Sequence, residues 1–129
     1  EFRRVLFRSY QDALAEFFGG TKRFAWDREG VLHVETKDGA RHPLESLSSG
    51  EKQILLFVAD LFRRWTPGSL VLLDEPELHL HESWLAALWG ALRRLQRERG
   101  GQVIVTTQSS YLFGLGGPGS RVILRGGAR

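Results

Sequence analysis

The sequence predicts an α/β layered domain, with a parallel sheet core, flanking helices and a small antiparallel β element. Three observations carry that expectation. After residue 50 the chain runs helix, strand, helix, strand, loop, strand, an order that builds parallel sheets through helical crossovers. Its aliphatic runs are continuous rather than alternating, as in strands buried on both faces. Between residues 23 and 44 the pattern changes to short alternating runs parted by Gly-containing turns, which is how hairpins read.

Composition sets the bounds. The 129 residues are enough for one domain, or part of one, with a modest core. Hydrophobic residues at 42% and charged residues at 26% argue against a disordered chain. No apolar run approaches the ~20 residues that span a bilayer, and Val5-Leu6-Phe7 is too short for a signal peptide. Cys is absent, which excludes a disulfide scaffold and a Cys-ligated metal or redox site. A cytoplasmic location is compatible with that and is expected. Met is absent too, so the chain is expected to be a processed or truncated product. Net charge is +3, and the head Glu1–Ser9 accounts for +2 of it through Arg3, Arg4 and Arg8 against Glu1. The remainder is near neutral and carries no broad nucleic-acid footprint.

The elements follow in order. Residues 1–9 are expected to be either a vector-derived adaptor, since Glu-Phe is what an EcoRI site encodes, or a native, poorly ordered terminus. Residues 10–129 form the domain proper. Tyr10, Leu14, Phe17 and Phe18 have helical spacing, and Gly19-Gly20 stops that helix. Strands are expected over Arg23–Asp27, Val31–Thr36 and Ala40–Leu44, with turns at Arg28-Glu29-Gly30 and Lys37-Asp38-Gly39. Glu51–Trp65 reads as a helix with Ile54, Val58, Leu61, Phe62 and Trp65 on one face, broken by Pro67-Gly68. Leu70–Leu73 reads as a buried strand ending in acids. Glu82–Arg99 is a second helix, with Leu85, Leu88, Trp89, Leu92 and Leu95 inward and Arg93, Arg94, Arg97 and Arg99 as a solvated basic end. Val103–Thr107 and Arg121–Leu124 complete the expected strands. Phe57, Phe62, Trp65, Trp84 and Trp89 are expected in the core.

Three features carry chemistry. Leu47-Ser48-Ser49-Gly50-Glu51-Lys52-Gln53 is a small hydroxyl-rich turn entering a helix, where free N–H groups and the dipole suit phosphate. By itself such a turn is more often only a plain N-cap. Leu70-Val71-Leu72-Leu73-Asp74-Glu75-Pro76-Glu77 sets two carboxylates at the carboxyl edge of a sheet, where α/β ligands bind. Asp74 can hold Mg²⁺ and Glu75 can polarise an attacking water; the plain alternative is a strand ending in solvated acids. Val103–Ser109 brings a polar tip, Gln108, after an aliphatic strand.

Taken together, the order and spacing resemble the C-terminal half of an ABC-type ATPase head, a partial P-loop NTPase fold. Leu47–Gln53 matches the signature motif, Leu70–Glu75 matches Walker B with Glu75 at the catalytic glutamate, Glu77–His81 falls at the D-loop, and Gln108 at the switch histidine. The pairing is similar to the non-transporter AAA-family ATPases of the RecF, SMC and OLD/PtuA-like groups, over about Arg23 to Leu124. This sequence departs from the pattern in four places. No Gly-x-x-x-x-Gly-Lys-Ser/Thr run occurs, so the Walker A half is missing from these residues. Gln108 replaces the usual His, Glu82 a usual Pro, and Ser49 the commoner Gly. His79 and His81, with Glu77, also form an alternating trio open to a metal reading.

The resemblance implies ATP and Mg²⁺ as cofactors, with Glu75 and Gln108 catalytic, Asp74 on the metal, and Ser48, Ser49, Gly50 and Glu51 binding nucleotide. It implies a homodimer closing around two nucleotides, and DNA, a nuclease or another effector as partner, in DNA repair or phage defence. The alternatives are an ABC transporter's ATP-binding subunit, or a non-catalytic dimerisation head. The 129 residues alone are expected to be inactive.

Overall fold

Ala13, Leu14 and Phe17 recur at helical spacing and form the buried stripe of α1 (Phe2–Phe17). The computed structural model describes residues 2–118, with side chains from Arg8 onward. The helix begins at Phe2 rather than at Tyr10, so the boundary expected at Ser9 falls inside it. The reason is local: Phe2–Ser9 holds no Gly or Pro and is rich in Arg, a good helix former. Ser9 is buried, and its hydroxyl donates to Glu98 Oε2 at 2.9 Å. Tyr10 lies edge-on to Phe62 with ring centroids 5.8 Å apart, and its hydroxyl donates to the Leu55 carbonyl.

Next comes a three-stranded antiparallel sheet in the order β1 (Lys22–Trp26), β2 (Leu32–Thr36), β3 (Arg41–Pro43). Phe24 pairs with Val34 across β1 and β2, and both are buried. Phe18 at the end of α1 meets Phe24 at 5.2 Å, which docks the sheet on the helix. The hairpin turns lie where expected, with Gly30 and Gly39 at positive φ.

The second half is a β–α–β unit. A 3-10 turn over Leu44–Ser46 leads into α2 (Ser49–Arg64). Then come β4 (Leu70–Asp74), a 3-10 turn over Pro76–Leu78, α3 (Glu82–Arg99) and β5 (Gln102–Thr106), with β4 and β5 parallel. Parallel strands need such a helical crossover. Gly101 makes the return possible: its φ is +100°, and a Cβ there would lie 2.7 Å from the Ser69 carbonyl. The register pairs Leu72 with Ile104 and Asp74 with Thr106.

The core joins α1, α2, α3 and the antiparallel sheet, with Leu14, Val34, Val58, Leu92 and Leu95 its most enclosed side chains. Each such burial is worth about 1.5–3 kcal/mol. Val71, Leu73 and Val103 pack against it from the parallel strands. The other face of those strands corrects the expectation of full burial. Leu70, Leu72 and Ile104 are 55%, 67% and 53% exposed, because the described helices cover one side of the sheet only. Phe57 is a second correction: it sits on the outer face of α2, 37% exposed, while Phe62 and Trp65 are buried and Trp84 and Trp89 half-buried at the core margin.

The basic end of α3 is also not simply solvated. Arg94 donates to Glu16 Oε1 at 2.7 Å, tying α3 to α1. Arg99 donates to the carbonyls of Phe62 at 2.7 Å and Trp65 at 3.2 Å, closing the C-terminus of α2. A short helix, α4 (Ser110–Leu115), follows β5 where a loop was expected, capped by the Ser109 hydroxyl. The expected strand at Arg121–Leu124 lies outside the described residues. No helix among the described residues is long and apolar enough to cross a membrane.

Candidate functional site

The turn before α2 is built by its own residues. Leu47 is buried and anchors it. Ser48 is the N-cap: its hydroxyl accepts from the Glu51 N–H at 3.3 Å, and Glu51 Oε2 accepts from the Ser48 N–H at 2.9 Å. This reciprocal pair is a capping box. The other Glu51 oxygen takes the Lys22 ammonium, which links the antiparallel sheet to the turn. Burial alone would raise the Glu51 pKa, but Lys22 and the Ser48 donors outweigh it and hold the carboxyl below its usual value. Both Glu51 oxygens are therefore spent on structure. Ser49 is exposed, and the N–H groups of Ser49 and Gly50 open the helix without a capping acceptor among the described residues. Gly50 faces α3, where a Cβ would come within 3.3 Å of the Trp84 ring. The turn thus offers an anion two backbone donors and a hydroxyl at a helix N-terminus.

The second group gathers at the carboxyl ends of β4 and β5. Register sets Asp74 opposite Thr106, and the Thr106 hydroxyl donates to Asp74 Oδ1. The chain then turns sharply. Glu75 has φ 42° and ψ 54°, and it is the one non-glycine residue at positive φ among those described. Its N–H donates to the Thr106 carbonyl at 2.9 Å, extending the ladder by one residue past the strand. Its Oε1 accepts from Gln108 Nε2 at 2.7 Å. Such a conformation in a non-glycine residue costs on the order of 1 kcal/mol or more and tends to mark functional sites.

Glu77 holds the loop after β5. Its Oε1 accepts from the Thr107 hydroxyl at 2.6 Å, the Gln108 N–H at 2.7 Å and the Ser109 N–H at 3.1 Å. Desolvation pushes its pKa up, but these donors together pull it below the ordinary glutamate value. Its Oε2 is buried with no hydrogen-bond partner.

Of the sequence-predicted residues, Asp74, Glu75 and Gln108 come together in one hydrogen-bonded cluster. Ser48, Ser49, Gly50 and Glu51 form a separate site, joined to that cluster by no hydrogen bond or ion pair among the described residues. The trio Glu77, His79 and His81 does not converge. Glu77 turns inward, His79 is exposed, and His81 caps α3 through Nδ1, which accepts from the Ser83 N–H at 3.3 Å. No cluster of three His, Cys, Asp or Glu side chains suited to a metal occurs among the described residues. One carboxylate beside a hydroxyl, as at Asp74 and Thr106, fits Mg²⁺, which keeps waters and substrate oxygens as its other ligands. Sequence reasoning missed the loop-holding role of Glu77 and the contribution of Thr106 and Thr107. The only signal was polar residues at the tips of two adjacent aliphatic runs.

Comparisons with known proteins identify the family and the fold. The family described as "AAA domain, putative AbiEii toxin, Type IV TA system" matches residues 1–114. The chain is similar to "Retron Ec83 probable ATPase" of Escherichia coli, 34% identical over 110 residues, covering 77% of this chain and 20% of that protein. Among solved structures it resembles the Smc head domain of Pyrococcus yayanosii, at TM-score 0.53 and 21% identity, covering 87% of this chain and 23% of that one. It also resembles an SMC ATPase head from a study of ATP-driven dimerization and DNA-stimulated activation, at TM-score 0.51 and 18% identity, covering 89% and 76%. The likeness to SMC heads establishes a P-loop NTPase fold.

Proposed function

The chain belongs to that AAA-domain family, and from this premise we propose that it supplies the signature turn, Walker B and switch loop of an ATP-hydrolysing head. The chain spans 20% of the retron ATPase it matches, so the activity proposed is that of a larger protein. The observation that carries the reading is the cluster at the tips of β4 and β5, where Asp74, Glu75 and Gln108 meet on hydrogen bonds from residues of both strands.

Each residue has a task there. Asp74, beside the Thr106 hydroxyl, would hold Mg²⁺, which offsets phosphate charge when bound. Glu75 orients the attacking water and takes its proton as the water oxygen adds to the γ-phosphorus and the bond to the bridging oxygen breaks. Gln108 donates its amide N–H to a phosphate oxygen or to Glu75. It stays neutral where a histidine would change charge with pH. The N–H groups of Ser49 and Gly50, with the serine hydroxyls, would grip a γ-phosphate held by a second protomer. In this reading the nucleotide is sandwiched in a homodimer that closes on ATP and opens on hydrolysis. In this reading the larger protein acts in phage defence or DNA repair, with DNA or a nuclease-type effector as partner, a role that rests on the resemblance of its motifs to the non-transporter AAA-family ATPases; the retron ATPase among its relatives supports the ATPase part.

The experiment is single-turnover and steady-state ATPase kinetics on the full-length parent. Glu75→Gln should lower the rate about 100-fold or more while ATP still binds and still drives dimerisation. The 129-residue chain alone should show no Glu75-dependent turnover, since it contains no Lys-bearing phosphate loop. A parent that hydrolyses ATP equally well with Gln at 75 would refute the assignment.

A further inference from the structure

The loop after β5 carries Gln108 and spans residues 107–109, between the end of β5 and the start of α4. Ser109 is tied forward as the N-cap of α4, its carbonyl accepting from the Phe113 N–H at 3.0 Å, whereas Thr107 and Gln108 belong to neither element. What holds Thr107 and Gln108 comes from another element. Glu77 Oε1 receives the Thr107 hydroxyl, the Gln108 N–H and the Ser109 N–H, at 2.6, 2.7 and 3.1 Å. Three donors on one carboxylate oxygen, from three consecutive residues, make a clamp. The Thr107 hydroxyl is doubly used, because it also accepts from the Ser109 N–H at 3.0 Å. Glu77 itself sits in the 3-10 turn that follows Glu75, so clamp and base share one turn. The clamp places the Gln108 backbone so that its side-chain amide reaches Glu75 Oε1 at 2.7 Å.

We propose that Glu77 is a positioning residue for Gln108, clamping the loop at Thr107–Ser109 so that the Gln108 amide stands beside Glu75. It touches neither substrate nor the reacting atoms in this role. The kinetic part rests on the ATPase reading above; the structural part does not. The second oxygen adds a discriminating detail. Glu77 Oε2 is buried with no partner. A glutamine at 77 can therefore turn its carbonyl to the three donors and leave its amide where Oε2 lies. An aspartate, one methylene shorter, cannot reach all three.

The test uses the full-length protein with Glu77→Ala, Glu77→Asp, Glu77→Gln and Thr107→Val. Two quantities are read: amide hydrogen exchange over the loop that contains Gln108 and Ser109, and steady-state kinetics. Glu77→Ala should speed exchange of the loop amides about 10-fold or more while α2 and α3 exchange as before. It should lower kcat about 10- to 100-fold with little change in KM, as expected when a reacting geometry is loosened without loss of binding. Glu77→Asp should behave like the alanine variant, Glu77→Gln should lie much nearer the parent, and Thr107→Val should fall between. Thr107→Val also serves as the mild variant if Glu77→Ala does not fold. Unchanged loop exchange in Glu77→Ala overturns the clamp. Faster exchange with kcat untouched, or kcat and KM moving together, makes Glu77 merely structural and overturns its link to Gln108. If the parent hydrolyses no ATP, the ATPase reading falls, and exchange alone decides whether Glu77 holds the loop.

Discussion

At the scale of single residues, the site is a competition for hydrogen bonds among three carboxylates. Asp74 takes a threonine hydroxyl, Glu75 an amide, and Glu77 a hydroxyl with two backbone N–H groups. None forms an ion pair among the described residues, so what distinguishes them is donor number. Glu77 has the most, and its pKa lies below the ordinary value despite desolvation acting the other way. The sign of its effect on stability follows. A group with a lowered folded-state pKa stabilises the fold above its unfolded pKa, near 4.3 for glutamate, and that contribution is lost as pH falls through the lowered value. The amide protons of Gln108 and Ser109 should therefore titrate by NMR with a midpoint below about 4.3, and Glu77→Gln should abolish the titration. A midpoint at or above that value would mean that these donors do not outweigh the desolvation of the carboxylate. Asp74, Glu75 and Gln108 were legible in the sequence because motif spacing around an aliphatic strand marks them. The partners of Glu77 were not, since they lie some thirty residues away and only the pairing of β4 with β5 brings them near.

At the scale of elements, patterns that act locally were read well. The stripe of α3 and the glycine turns of the antiparallel sheet depend on residues within a turn or two of one another, whereas the reciprocal capping by Ser48 and Glu51 is seen only in the structure. What failed depends on distant contacts. The run Arg93, Arg94, Arg97 and Arg99 reads as one solvated helix end, yet its members differ by what α1 and α2 place before them. Arg97 is exposed, whereas Arg99 donates to two carbonyls at the end of α2 and lies over the Phe62 ring at 5.7 Å. Arg99→Ala should cost about 1–2 kcal/mol, since it leaves helix-terminal carbonyls unpaired. Arg97→Ala should fall within about 0.5 kcal/mol of the parent. Urea denaturation of the two variants side by side checks this, and equal midpoints would remove Arg99 as the cap of α2. The short helix α4 escaped for another reason: six residues, one of them Gly114, give no periodic stripe to read.

At the scale of the whole molecule, the two parallel strands among the described residues present an unusual surface. Leu70-Val71-Leu72-Leu73 and Val103-Ile104-Val105 are apolar on both faces, which is why the sequence predicts full burial. The described helices cover one face, and on the other Leu70, Leu72 and Ile104 stand open beside the very tips that carry Asp74 and Glu75. An apolar face of that kind on a folded domain marks a surface to be covered. If the chain works inside a larger ATPase head, as proposed, a further layer of that protein packs there and carries the phosphate loop to the cluster. The consequence separates the isolated chain from the parent. The pair Leu72→Asn and Ile104→Thr should leave the stability of the 129 residues within about 0.5 kcal/mol, because exposed side chains contribute little. It should also reduce self-association of the chain, read by sedimentation velocity. In the full-length parent the same pair should cost about 3 kcal/mol or more, by burying polar groups and losing packed methylenes. A parent that tolerates both changes as easily as the isolated chain would mean that this face stays open in the whole protein, and the proposed completion of the site across it would fail.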